Sequence, residues 1–176
     1  MLYNKLLSLI ETNSLKMAEK WRDGIKSSEF SKTYQKLNDQ ELVNRSKDVY
    51  DNLGKWLDRD TTIHQIEKNY QEVGKKRYHE GFPLCEVHFA LHYTKNVLWN
   101  HILSEGILTN ALEIFQAMDL IVRVYKFFDI ATIFIIRGYM EELNVHLGKT
   151  GGLVPEELKK ILHLGSFRSA YASEMY

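Results

Sequence analysis

The side chains with the clearest potential for chemistry lie in the middle of the chain. Cys85, His88 and His92 follow one another at steps of three and four residues, so on a helix they project from one side. A thiolate and two imidazoles suit zinc or haem iron, and His79 lies just upstream. The same residues flank an apolar stripe, where an imidazole packs its ring and keeps one nitrogen in water. We favour this second interpretation, because no paired cysteine or acidic partner at ligand spacing accompanies the set.

Enzyme motifs are missing from the sequence. Cys85 lacks a recognisable nucleophile signature, and no serine lies in a glycine-flanked elbow. No Lys-Ser/Thr pair follows the glycines of residues 148–152, so this segment is not a phosphate-binding loop. A di-iron bundle needs Glu-x-x-His on two helices, whereas His64 and Glu67 stand in the reverse order and suit a surface pair. We therefore predict a protein that is not an enzyme and carries no cofactor.

The composition predicts one folded, soluble domain. Of 176 residues, 44% are hydrophobic and 26% charged, as in ordinary globular proteins. Lys plus Arg and Asp plus Glu are both 23, which gives no reason to expect nucleic acid or an anionic membrane as a partner. The single cysteine and the absence of a signal peptide at Met1–Leu9 favour the cytoplasm. Charged residues interrupt the most apolar region, 118–140, so we predict no membrane span.

The elements that position these side chains are all predicted to be helices, which makes the fold class all-α. Both prolines, Pro83 and Pro155, stand where a helix would begin. Asn38, Thr61 or Thr62, and Thr109 or Asn110 are the predicted caps. Five to six helices are expected, over approximately residues 2–27, 38–59, 62–81, 83–106, 109–147 and 155–164. We predict a helical core over 21–147, with its first helix from about residue 2, and a glycine-hinged short helix and tail over 148–176.

The helix predicted between Thr109 and Leu147 is unusual in length and composition. At 1.5 Å per residue it would extend about 55 Å, longer than a compact domain of this size. Asp119, Arg123 and Lys126 line one narrow strip, and apolar residues surround it. This pattern predicts a core helix buried on nearly all sides, with enough remaining apolar surface to form a homodimer.

The three tryptophans belong to three predicted helices. Trp21, Trp56 and Trp99 each lie on an apolar face. They could fill a core, or they could line a pocket between helices, in which case the protein would be a small-molecule-binding helical bundle. The sequence leaves both interpretations open.

A group of short motifs resembles one bacterial family, the RsbRD-type N-terminal domain. It is the input module of RsbT co-antagonists in stressosomes and of some sensor histidine kinases. The central stretch consists of Gly74, Arg77, Gly81, Pro83, Leu84, Glu86, Val87, Ala90, Leu98 and Trp99. The further matches are Trp21, Glu41, Leu42, Arg45, Phe128-Asp129 and Arg137-Gly138-Tyr139. Together the motifs cover roughly residues 21–142.

This resemblance implies a globin-like or bundle-like helical module that dimerises and passes a signal to an output domain. Phe128, Asp129, Arg137 and Tyr139 are then candidates for fixing the signalling helix, with Trp99 on the preceding helix. The segment Gly81-Phe82-Pro83 is the candidate turn that orients the fourth helix.

The sequence also departs from the family pattern. His88 and His92 stand where aliphatic or variable residues are expected, which keeps haem or metal binding as an alternative. No STAS or kinase domain follows within the sequence, which ends at Tyr176, so we expect the output in a fused domain of a longer protein or in a separate partner.

Overall fold

A computed structural model describes residues 2–58, 60–106, 108, 110–149 and 151. Its α-helices are α1 (Leu2–Thr12), α2 (Ser14–Ser27), α3 (Asp39–Asp51), α4 (Leu53–Trp56), α5 (Ile63–His79), α6 (Leu84–Ser104) and α7 (Ala111–Lys149). A short 3₁₀ helix spans Tyr34–Lys36, and no strand occurs among the described residues. The predicted all-α class and the single long C-terminal helix are confirmed.

Two of the predicted helices are each divided by an asparagine. At Asn13 and again at Asn52, the side-chain amide donates to the carbonyl oxygen four residues earlier, Leu9 O at 2.9 Å and Asp48 O at 2.8 Å. Asparagine side chains compete in this way with the backbone for hydrogen bonds, which weakens a helix locally. Helices α1 and α2, and helices α3 and α4, therefore replace two longer predicted segments.

The helix ends follow the predicted capping chemistry. Thr62 and Gln65 form a reciprocal capping box at the start of α5. The Asn38 side chain accepts from Glu41 N at 2.8 Å, and the Asn110 side chain accepts from Glu113 N at 3.0 Å. Thr109, the alternative cap of α7, lies outside the described residues.

The chain forms two compact units, each assembled from two separate segments. Of the described residues, those up to 61 and those of 85–128 form the first unit, and those of 62–84 and from 129 onward form the second. Helix α7 contributes to both, with the division between Phe128 and Asp129.

Hydrogen bonds in the first unit converge on α6. Trp21 Nε1 on α2 donates to Ala90 O at 3.0 Å, and the Tyr50 hydroxyl on α3 donates to Thr94 O at 3.0 Å. Near the start of α6, the buried Glu86 carboxylate accepts from both the backbone N and the hydroxyl of Thr33. These bonds supply partners for polar groups that would otherwise be costly to bury. The largest fully buried apolar side chains around them are Tyr50, Phe128, Leu6, Ile10, Met17, Ile25, Leu42, Leu53, Leu98 and Ile102.

The second unit has a smaller core, between α5 and the C-terminal half of α7. Its buried apolar side chains are Ile66, Tyr70, Phe82, Ile130, Ala131, Phe134 and Ile135. The predicted short helix over 155–164 and the tail after Gly165 lie outside the described residues, so the proposed division at residues 147 and 148 stays a prediction.

Candidate functional site

Two glycines bring α5 and α7 into direct backbone contact in the second unit. A Cβ atom on Gly138 of α7 would lie less than 3.0 Å from the backbone of Gln71 on α5. A Cβ atom on Gly74 of α5 would lie equally close to the backbone of Ile135 and Tyr139 on α7. Real Cβ atoms do not approach other atoms so closely, and small residues are what allow helix backbones to meet. The position of Gly138 in this contact therefore requires a glycine.

An ion pair near this contact joins the two helices. Arg137 Nη1 on α7 lies 3.1 Å from Glu67 Oε1 on α5, and within α7 Arg137 Nε lies 3.3 Å from Glu141 Oε1. The side chains of Arg137 and Glu67 are only 16% and 14% exposed. Low exposure reduces solvent screening, so the attraction between these two charges is stronger than in an ordinary surface salt bridge, while their burial adds a desolvation cost.

The turn after α5 is closed by backbone bonds and by Tyr139. Gly81 has a φ angle of 75°. Its backbone N donates to Tyr78 O at 2.9 Å, and Phe82 N donates to Arg77 O at 3.1 Å. These two bonds are the Schellman arrangement that ends a helix at a glycine. The hydroxyl of Tyr139 on α7 then donates to Phe82 O at 2.7 Å. Two of the predicted residues, Phe82 and Tyr139, are thus brought together by a direct hydrogen bond.

The N-terminal part of α7 leaves one apolar stripe exposed in the first unit. Phe115, Met118, Val122 and Tyr125 recur at steps of three, four and three residues, and we call them the α7 outer face. Phe115 is 77% exposed and the other three are between 44% and 46% exposed. The expectation that the helix is buried on nearly all sides is therefore wrong for this part, because its core contacts come from the opposite side, at Ala117, Leu120 and Val124.

Tyr125 connects the outer face to α6. Its ring stacks on Trp99 with centroids 5.4 Å apart and planes at 17°, and Lys95 Nζ lies 5.0 Å from the Tyr125 centroid. Trp99 Nε1 is buried and has no hydrogen-bond partner in the described structure. The predicted residue Trp99 is therefore held by ring stacking rather than by its polar atom.

Comparison with known families assigns most of these elements to one domain type. Residues 16–149 match the model of the RsbT co-antagonist protein rsbRD N-terminal domain. The chain belongs to this family. The resemblance seen in the sequence motifs is confirmed, and the match reaches from the start of α2 to the end of α7. No curated protein and no solved structure is significantly similar to the chain.

The RsbRD N-terminal domain motifs have clear structural roles in the second unit. Gly74 and Gly138 form the helix contact, and Gly81 closes α5. Arg137 and Tyr139 bind groups on or directly after α5. These motif residues of the second unit thus pack α7 against α5 and the turn that follows it.

Two further motif residues, Phe128 and Asp129, lie at the division of α7 between the units. Phe128 is fully buried beside Phe127, with ring centroids 5.2 Å apart. The next residue, Asp129, is exposed. The division between the two units falls between these two residues.

The candidate metal ligands of this RsbRD N-terminal domain are on its surface. Cys85, His88 and His92 are all exposed on α6, and His92 Nε2 lies 3.1 Å from Asn96 Nδ2. His79 is exposed in the second unit, where it lies 3.0 Å from Glu142 Oε2. Among the described residues, no three His, Cys, Asp or Glu side chains come together in an arrangement that could hold a metal ion. Metal or haem binding stays a prediction.

Sequence reasoning missed His101, the least exposed histidine among the described residues. It is 1% exposed near the end of α6. The signal for its burial was present, since Ala90, Thr94, Leu98 and His101 follow one another at helical spacing and all are buried.

Among the described residues of this RsbRD N-terminal domain, no helix combines the length and apolar character needed to cross a bilayer. The predicted absence of a membrane span in the region 118–140 agrees with this finding.

Proposed function

We propose that this chain is a non-catalytic, cytoplasmic signalling input module that dimerises through the α7 outer face and passes a change in helix packing to an output domain or partner. Membership of the RsbRD N-terminal domain family carries the signalling part of this proposal. The exposed α7 outer face carries the dimer part.

A second copy of the chain is the occupant that best suits the outer face. Apolar residues at alternating three- and four-residue steps are the pattern by which two helices pack side by side. The adjoining Asp119 and Arg123 carry opposite charges, and Arg123 Nε lies 2.9 Å from Asp119 Oδ2. Under two-fold symmetry, each charge of one copy can meet its opposite in the other, so the surface is complementary to itself.

The stack of Tyr125 on Trp99 supplies a route from the outer face to the interior. A second copy that contacts Tyr125 would press on Trp99, which belongs to α6. Carbonyl oxygens of α6 also accept hydrogen bonds from Trp21 on α2 and Tyr50 on α3. A shift of Trp99 that moves α6 would therefore also displace α2 and α3. We propose that signals change the equilibrium between two packings of these helices.

Size-exclusion chromatography with light scattering tests the dimer. The unaltered chain should have the mass of a dimer at tens of micromolar, and Val122→Glu or Phe115→Glu should shift it to a monomer. Leu103→Glu is the matched control, because Leu103 is 64% exposed on α6 of the same unit and lies outside the outer face. A monomeric unaltered chain, or dissociation by all three substitutions, would contradict the proposed interface.

The output is tested with proteins encoded beside this chain or fused to it. Co-elution with a neighbouring STAS-domain protein or kinase, reduced by Val122→Glu and retained by Leu103→Glu, would support the relay. If the neighbouring reading frames and the full-length gene encode neither protein type, the proposed output is wrong.

A further inference from the structure

His101 is a titratable group enclosed in the first unit without a hydrogen bond. Its side chain is fully buried, and neither Nδ1 nor Nε2 has a hydrogen-bond partner in the described structure. Buried polar groups are normally paired, so each exception calls for an explanation. A neutral imidazole is tolerated in such a place far better than an imidazolium, since desolvation opposes the charged form.

One carboxylate lies between His101 and another helix. Glu105 Oε1 is 3.6 Å from His101 Nδ1 and 3.3 Å from Nζ of Lys16, which is on α2. The Glu105 side chain is partly exposed, so it has freedom to move. The same carboxylate therefore joins α2 to the end of α6 and is the anion available to a protonated His101.

The charges that act on His101 come from Glu105 and from α2. Burial, the largest effect, lowers the pKa of His101 below its ordinary value of 6.5. Glu105, the residue directly after α6, raises this pKa, whereas Lys16 and Lys20 on α2 lower it further. The α2 lysines thus oppose protonation, and the Glu105 carboxylate favours it.

We propose that His101 makes the first unit acid-sensitive: when it gains a proton, its imidazolium draws Glu105 away from Lys16 and the contact between α2 and α6 opens. The proton comes from solvent and binds the free ring nitrogen, and no bond other than this N–H forms. Histidine protonation is a general means of switching packed elements near neutral pH. This inference concerns only the first unit and does not require the proposed dimer.

Stability of the full chain should depend on pH in a defined direction. Because the pKa of His101 is lower in the folded state, the unfolded state takes up a proton first as the pH falls below 6.5. The ratio of unfolded to folded molecules should then rise, by at most about tenfold per pH unit, until the folded-state pKa is reached. Urea unfolding followed by circular dichroism at several pH values measures this change.

Two histidine substitutions separate His101 from the other histidines. His101→Phe should remove the rise in the ratio of unfolded to folded molecules that is due to His101. His88→Gln, at an exposed position on the same helix, should retain this rise. If His101→Phe folds and keeps the full pH dependence of the unaltered chain, the proposal is wrong.

Substitutions that remove the charge of Glu105 or of Lys16 distinguish the proposed titration of His101 from a purely structural role. Glu105→Gln should move the titration of His101 to lower pH, and Lys16→Met should move it to higher pH. Nuclear magnetic resonance follows the His101 ring protons directly in the unaltered chain and in both variants. Shifts in the same direction, or no shift, would overturn the proposal.

The same spectra report whether the helix contact opens. The indole N–H of Trp21 on α2 donates to Ala90 O on α6, so its signal monitors this contact. We expect it to change with the titration of His101 and to remain constant over the same pH range in His101→Phe. An indole signal that stays constant while His101 titrates in the unaltered chain would show that protonation does not open the contact. If His101→Phe does not fold, the unaltered chain still decides, since a measured His101 pKa at or above the ordinary value of 6.5 would also contradict the mechanism.

Discussion

Gly138 on α7 lies so close to Gln71 on α5 that an added Cβ would be less than 3.0 Å from the Gln71 backbone. Gly74 has the same relationship to Ile135. The obstructing atoms belong to helix backbones, which cannot move aside as a flexible side chain can. The contact between α5 and α7 therefore depends on two residues that have no side chain.

Alanine at either glycine should destabilise the second unit. A helical Gly→Ala change ordinarily stabilises a helix by roughly 1 kcal/mol, but overpacking typically costs about 1–3 kcal/mol or more. We expect Gly138→Ala and Gly74→Ala to lower the free energy of unfolding, as measured by urea denaturation. Gly54→Ala is the control, because the atoms it would meet belong to the flexible Glu11 carboxylate. Equal effects at all three glycines would argue against the close contact.

The pair between Arg137 and Glu67 should contribute measurably to stability. Both side chains are mostly buried, so removing one partner leaves a poorly solvated charge. We expect Glu67→Gln to cost roughly 1–3 kcal/mol, in the range for a hydrogen bond to a charged group. Glu29→Gln, which breaks the more exposed pair with Lys32, should cost less than about 1 kcal/mol. A double-mutant cycle with Arg137→Met isolates the pair, and a coupling energy near zero would contradict its role.

Tyr139→Phe should loosen the turn after α5. The substitution keeps the ring, which packs against Tyr78 with centroids 5.3 Å apart, and removes only the hydroxyl that binds Phe82 O. We expect a loss of about 1 kcal/mol in the free energy of unfolding and faster amide exchange near Phe82. Exchange rates at Phe82 that match those of the unaltered chain would show that the hydrogen bond does not hold the turn.

Zinc and haemin should leave the thermal unfolding of the chain unchanged. Cys85, His88 and His92 are exposed, and the described part of the chain offers no group of three metal-ligating side chains. A ligand that bound the folded state tightly would raise the unfolding temperature. Calorimetry with added zinc or haemin, together with a visible spectrum of protein purified without chelator, measures this. A rise in the unfolding temperature that His88→Gln removes would instead support the metal-binding alternative.

Much of the helical framework was predictable because its signals are local. Thr62, Asn38 and Asn110 cap helices through hydrogen bonds to residues three positions later, and Gly81 ends α5 through its own backbone angle. Such interactions depend on a few neighbouring residues, so a sequence displays them directly. The break at Asn13 is also local, because its side chain donates to the carbonyl oxygen four residues earlier. The break at Asn52 arises from the same interaction and could have been inferred in the same way.

The candidate site was less predictable because its properties depend on which helices meet. Gly138 has the same sequence environment whether it faces solvent or Gln71, which is distant in sequence. Likewise, the apolar residues on both sides of α7 are indistinguishable in sequence, although Val124 is buried and Val122 is exposed. Tertiary packing, rather than helical periodicity, decides these cases.

The interleaved connectivity of the two units has a consequence for how the domain can be inherited and dissected. The chain leaves the first unit after residue 61, returns to it at residue 85, and leaves again after residue 128. No single cut releases either unit as a continuous polypeptide, and truncation anywhere within α7 removes material from at least one of them. Recombination between genes would therefore tend to transfer the whole stretch as one heritable block, with both cores included or neither.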